Sequence, residues 1–168
     1  MIRIFIMAVV AVCLALPLGA QEEKPPPCAA PEHRQFDFWL GNWEVTANEK
    51  VAGTNHIRTI LDGCVLMEEW QSANGTFAGR SFNRYDTEKG KWEQTWVDNQ
   101  GGVLKLAGEF KDGKMVLAGD QLVGGEPVID RITWTPNDDG SVRQLWEKSK
   151  DGGATWSVAF DGLYRKVK

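Results

Sequence analysis

From about residue 41 onward, hydrophobic and polar residues alternate in short runs. The clearest run sets Trp92, Gln94, Trp96 and Asp98 on one face against Lys91, Glu93, Thr95 and Val97 on the other. Val142, Gln144 and Trp146 alternate with Arg143, Leu145 and Glu147, and Trp156, Val158 and Phe160 oppose Ser157, Ala159 and Asp161. A period of two marks a half-buried strand, because successive side chains leave opposite faces of a sheet. Between these runs, turn signals rich in Gly, Asn and Asp recur about every 12 residues. Asp62-Gly63, Asn74-Gly75, Asp112-Gly113, Gly124-Gly125 and Asp139-Gly140 are examples. These residue types suit hairpins because the tight turns require positive φ.

The spacing predicts ten strands, near 41–48, 53–61, 65–71, 76–85, 91–98, 103–111, 114–122, 128–135, 141–149 and 155–166. One short helical turn is predicted at 32–40, where Phe36, Trp39 and Leu40 fall at i, i+3 and i+4. Ten antiparallel strands joined by hairpins must hide their edges, and closure into an up-and-down barrel removes edges outright. The expected fold class is therefore all-β, a single antiparallel barrel of about ten strands over residues 36–168. A barrel of about eight to ten strands has room for its own side chains plus one small ligand.

Residues 1–20 read as a secretory signal. Arg3 supplies the positive start, Ile4 to Leu16 the apolar run, Pro17 the break and Ala20 a small residue before the cut. The run is shorter than the roughly 20 residues that span a bilayer. Removal takes away Cys13 and one positive charge, leaving 18 Lys+Arg against 23 Asp+Glu and a net charge near −5. An acidic chain without a basic block is no nucleic-acid binder, and no stable membrane insertion is expected once the signal is gone. The expected location is periplasmic or secreted. Residues 21–35 are polar and Pro-rich and read as an extended N-terminal arm. In an oxidising compartment Cys28 and Cys64 form a disulfide candidate that would pin this arm to the body. Closing a loop of about 37 residues contributes about 3 kcal/mol in the chain-entropy model. The oligomeric state is not legible.

Gly41-Asn42-Trp43, placed at the first strand after a helical turn, resembles the Gly-x-Trp signature of the calycin superfamily, the lipocalins and fatty-acid-binding proteins. The resemblance implies that Trp43 packs across one barrel end under a cation from the last strand, for which Arg165 is the matching position. A closer resemblance covers most of the mature chain. Phe36-Asp-Phe-Trp-Leu-Gly-Asn-Trp43, Ser81-Phe-Asn-Arg-Tyr-Asp86, Gln94-Thr-Trp-Val-Asp-Asn99, Arg131-Ile-Thr-Trp-Thr-Pro136 and Phe160-Asp-Gly-Leu-Tyr-Arg165 resemble the domain of unknown function 1579 family of secreted bacterial proteins. That resemblance implies a calycin-like barrel and no particular activity. Haem-binding relatives by fold carry a late histidine ligand, whereas His33 and His56 here are both early.

Ser149-Lys-Asp-Gly-Gly-Ala-Thr-Trp156 fits the Asp-box pattern of sialidase propellers. A propeller needs several copies, so this one reads as a hairpin turn in which Asp151 accepts turn N–H bonds and Trp156 packs inward beneath. The two histidines read as exposed, and no metal or organic cofactor is expected: HExxH, CxxC, GxSxG and phosphate-loop motifs are all absent. Gly79 and Gly108 read as bulges or tight bends.

The functional signal is polar residues on the inward face. Parity places Asn83 with Tyr85, Gln94 and Asp98 with Trp92 and Trp96, Asp130 with Ile132 and Trp134, and Gln144 with Trp146. Buried polar groups cost energy unless they are hydrogen-bonded. The expected function is an exported small-molecule binder whose guest is small and largely apolar. Trp70, Trp96 and Trp146 would stack on it, with Asn83, Gln94, Asp98 and Gln144 as polar anchors. The parity around Trp70 is ambiguous, and of the neighbours Glu68 and Glu69 at most one faces inward. The alternatives are a cyclase or isomerase using Asp98 or Asp130 as acid–base group, and a filled barrel that docks other proteins.

Overall fold

In the computed structural model, which describes residues 26–167, the ten strands form one closed antiparallel barrel. They are β1 (Gly41–Ala47), β2 (Lys50–Ile60), β3 (Val65–Ser72), β4 (Ala78–Asp86), β5 (Lys91–Asp98), β6 (Val103–Lys111), β7 (Lys114–Val123), β8 (Glu126–Pro136), β9 (Val142–Ser149) and β10 (Ser157–Lys166). Each strand pairs with the next, and β10 returns to β1 through pairs such as Trp43 with Lys166 and Val45 with Tyr164. The predicted signal peptide, with Cys13, lies outside the described residues.

The chain enters the barrel through two 3-10 turns, Pro31–Arg34 and Asp37–Trp39, rather than one continuous turn. Phe36 separates them with φ −103° and ψ 5°, which breaks helical propagation. These turns plug one pole. Phe36 stacks on Trp39 at 4.9 Å and meets the edges of Trp92 at 5.6 Å and Trp134 at 5.2 Å. Trp43 donates its indole N–H to the Trp39 carbonyl at 2.9 Å. Phe36, Trp39, Trp43, Trp92 and Trp134 are all buried. Each such ring contributes about 1.5–3 kcal/mol through burial, and well-placed aromatic pairs add about 0.5–1.5 kcal/mol each.

The cation over Trp43 is Lys166, with Nζ 5.2 Å from the ring, and not Arg165. Arg165 is exposed and pairs across the ladder with Glu44, an outward position. The offset follows from strand parity: Tyr164 points inward, so Arg165 points out and Lys166 returns to cover the pole. His33, expected to be exposed, is buried edge-on against Tyr85 at 5.4 Å. The plug carries it under the barrel rim together with Phe36. His56 is exposed, as expected, with Nδ1 3.6 Å from Glu69.

Cys28 and Cys64 form the predicted disulfide. It fastens the arm to the β2–β3 turn, where Arg34 also donates a hydrogen bond to the Gly63 carbonyl.

The Asp-box segment is a single turn between β9 and β10. Asp151 accepts from Thr155 through its backbone N–H at 2.9 Å and its hydroxyl at 2.5 Å, and from the Ser149 hydroxyl at 2.7 Å. These bonds, the Thr155 pair foremost, hold the Asp151 carboxyl down at about 2. Trp156 does not pack inward. It lies on the outer wall beneath the Arg131 guanidinium, 3.7 Å from the ring centre, with its N–H on the Gly153 carbonyl. The register shift between Val158 and Phe160 explains this. One extra residue there reverses the faces, so Trp156 and Val158 point out while Phe160 and Tyr164 point in.

Two outcomes follow. Reduction, or the Cys28→Ser/Cys64→Ser pair, is expected to lower unfolding free energy by about 3 kcal/mol, read from the urea midpoint. Asp151→Asn is expected to lower the melting temperature at pH 7. A carboxyl whose pKa falls on folding stabilises above its unfolded value near 3.8 and loses that effect as pH falls through about 2. The gap between variant and native chain should therefore close in thermal melts run from pH 7 down to pH 2.

Candidate functional site

At the pole opposite the plug the barrel stays open around a cavity of about 350 Å³. Its walls carry Trp70 from β3, Trp96 from β5, Trp146 from β9 and Phe160 from β10, with Phe77 at the entry to β4. Three glycines make this possible. A Cβ on Gly79 would overlap the six-membered ring of Trp96, one on Gly162 would overlap Phe160, and one on Gly53 would collide first with the Gln71 carbonyl and then lie 2.8 Å from the Trp70 ring. Each ring occupies the space a side chain on the glycine would take, so the aromatics lean on the wall instead of filling the centre. Gly79 is therefore a seat and not a bulge, since the β4–β5 ladder runs through it without a register shift. Gly108 is a close backbone approach, its pro-Cβ position blocked by the Val116 carbonyl.

Beneath the aromatic walls lies a polar floor. Gln94 Nε2 donates to Asn83 Oδ1 at 2.8 Å, Asn83 Nδ2 to Ser81 Oγ at 2.9 Å, and Ser81 Oγ to Glu68 Oε2 at 2.6 Å. From the other side Asn55 Nδ2 donates to Glu68 Oε1 at 2.7 Å and to the Tyr164 hydroxyl at 3.4 Å. Tyr164 in turn donates to Gln144 Oε1. The chain crosses β5, β4, β3, β2, β10 and β9 in order around the barrel. Its members are buried, and a satisfied internal network of this kind fixes side-chain positions. Burial raises the Glu68 carboxyl above its ordinary range, partly offset by the bonds from Ser81 and Asn55 and by the Arg80 charge. Burial and the nearby Glu68 charge lift the Tyr164 phenol well above its usual value.

Six of the seven predicted ligand-binding residues line the cavity: Trp70, Gln94, Trp96, Asp98, Gln144 and Trp146. Asn83 does not. It pairs directly across the ladder with Gln94, accepts that amide's N–H and donates to the Leu66 carbonyl at 3.1 Å, and so orients Gln94 without itself reaching the cavity. Asp98 lies at the mouth and closes the β5–β6 turn, accepting from the Gln100 and Gly102 backbone N–H groups at 2.9 Å each and from the Trp96 indole at 3.3 Å. Desolvation pushes its carboxyl up, but these bonds outweigh it and the net shift is downward. An ionised turn clamp is a poor general acid.

Asp130 is fully buried but lies off the cavity wall. It accepts the Trp146 indole N–H at 2.5 Å and a bond from Gln121, with Lys148 Nζ 3.4 Å away. It holds Trp146 in place and has no reach to a guest. Among the described residues no group of three His, Cys, Asp or Glu side chains is placed to hold a metal ion.

Ser81, Glu68, Asn55 and Tyr164 are the floor residues that parity did not single out. The signal was present for three of them. Asn55 shares the inward face with Gly53 and Ile57, Glu68 shares one with Leu66 and Trp70, and Ser81 shares one with Asn83.

No protein-family model matches the chain, and no curated protein sequence matches it.

Gly79→Ala tests the seating directly. The new methyl should force Trp96 off the wall into the cavity and away from Asp98. The expected result is a loss of about 1–3 kcal/mol, typical of overpacking, with an altered near-UV circular dichroism band for tryptophan.

Proposed function

We propose that this is an exported barrel that takes one small, largely apolar molecule into the open pole. The observation that carries the reading is the seating of Trp70, Trp96 and Phe160 on Gly53, Gly79 and Gly162. Protein interiors normally pack to the density of organic crystals. Here the bulkiest side chains are laid back from the axis, and the space they vacate falls within the roughly 300–1,000 Å³ of small-molecule sites. Two amide groups supply orientation. Gln94 Oε1 and Gln144 Nε2 have no protein partner among the described residues, although the other end of each amide is fixed in the floor network. Export is supported by the Cys28–Cys64 bridge, a bond that persists in oxidising compartments. The barrel and the motifs from Phe36 to Arg165 are in keeping with the proposed membership of the domain of unknown function 1579 family.

Titration with the neutral apolar probe N-phenyl-1-naphthylamine should give saturable one-to-one binding with quenching of tryptophan emission. Trp96→Ala should weaken it about tenfold, the equivalent of one stacking ring. A native mass spectrum of the protein purified from its own compartment should show a displaceable adduct. Absence of saturable binding together with absence of any adduct would sink the reading.

A further inference from the structure

The cavity contains something an apolar guest does not need, a carboxylate in its floor. Glu68 is only 5% exposed, yet it lines the cavity. Among the described residues no Lys, Arg or His lies within ion-pair distance of it. Arg80, the cation that acts on it, is on the outer face of β4, held by Glu69 at 3.2 Å and by the Gly79 carbonyl at 2.9 Å. None of the residues lining the cavity is basic, and the second carboxylate, Asp98, stands at the mouth. The aromatic faces surround this floor. Trp70 follows Glu68 by two residues on the same face of β3, and Trp96 pairs across the ladder with Ser81, the residue that pairs with Glu68.

We propose that the guest is an organic cation, a protonated or quaternary amine on an apolar body, with its nitrogen against Glu68 and its body between Trp70, Trp96 and Trp146. This rests on the small-molecule reading above. The indole faces of Trp70 and Trp96 attract a cation through their quadrupole, most strongly where water is excluded, whereas the Trp146 ring already carries Lys148 Nζ 4.9 Å from its centre. The floor is polarised the same way. Gln94, Asn83 and Ser81 each donate toward Glu68, so the chain of bonds ends on an anion. A buried anion without a counter-ion is costly, and a cationic guest supplies the missing partner. Gln94 Oε1 offers the nitrogen a second acceptor, while Gln144 Nε2 suits a hydroxyl or carbonyl elsewhere on the guest. The net charge of −4 favours the approach of cations over anions.

The pH dependence follows from what surrounds Glu68. Asn55 on β2, Ser81 on β4, Gln144 on β9 and the Tyr164 phenol on β10 are neutral at pH 5–8. Arg80 lies on the outer face of β4 against Glu69, and Lys148, with its Nζ 4.9 Å from the centre of the Trp146 ring, is engaged with Asp130. Glu68, whose carboxyl burial raises, is therefore the group whose protonation would expel a cation as pH falls.

Isothermal titration of the mature chain with 2-phenylethylamine, its N,N,N-trimethyl derivative and the neutral isostere 2-phenylethanol separates the possibilities. At pH 7.5 both cations should bind at least about tenfold more tightly than the alcohol. Their advantage should shrink toward pH 5 although both keep their charge. Glu68→Gln should erase it, so that the two cations and the alcohol bind alike. Should that variant fail to fold, the pH series on the native chain carries the same discrimination. If the alcohol binds as tightly as the amines at pH 7.5, or if the advantage does not change with pH, the cation assignment is overturned and the binding barrel stands. If neither the three compounds nor N-phenyl-1-naphthylamine binds, the barrel reading falls and the assignment with it.

Discussion

The pairing of β10 with β1 governs the rest of the molecule. Once ten strands close on themselves, every backbone edge is satisfied, but the ring encloses more volume than its inward side chains can fill at both poles. One pole is sealed by the incoming chain, which contributes Phe36 and Trp39 to a cluster with Trp92 and Trp134. The other is left hollow because glycines stand where side chains would otherwise reach across. The division between a sealed pole and a hollow one follows from where the polypeptide enters and where Cβ atoms are missing.

Between the two poles the polar floor acts as a partition. Above it the tryptophans face open space, and below it the aromatics interlock. The partition is unusual in ending on Glu68, a group whose charged form is disfavoured by burial and favoured by its donors. The neighbouring carboxyls are committed elsewhere, Asp98 to a turn and Asp130 to the Trp146 indole.

Much of the barrel was legible because alternation of residue type and turn chemistry are local signals. All ten predicted strands are present, with ends displaced by up to three residues. Parity also placed Gln94, Gln144 and Asp130 on the inward face. What it missed depends on single-residue offsets. The extra residue near Ala159 reverses β10, so Trp156 faces out although its run alternates cleanly with Phe160. The same sensitivity moved the cation over Trp43 from Arg165 to Lys166. Depth was likewise invisible. Asn83 and Gln94 share a face and pair across the ladder, yet only Gln94 reaches the cavity. His33 reads as a polar arm residue because nothing local reveals that the plug draws it under Tyr85. The seating of tryptophans on glycines couples residues on different strands, and alternation within one strand carries no trace of it.

The register that sets Trp43 beside Lys166 also fixes where the chain starts and finishes its circuit. β1 begins and β10 ends at the plugged pole, so both extremities of the barrel leave from the same side, away from the hollow. An affinity tag, a fluorescent fusion or a surface linkage joined at either extremity would thus stand a full strand length from the entrance. Immobilised formats built on this chain should keep the opening turned toward the bulk liquid.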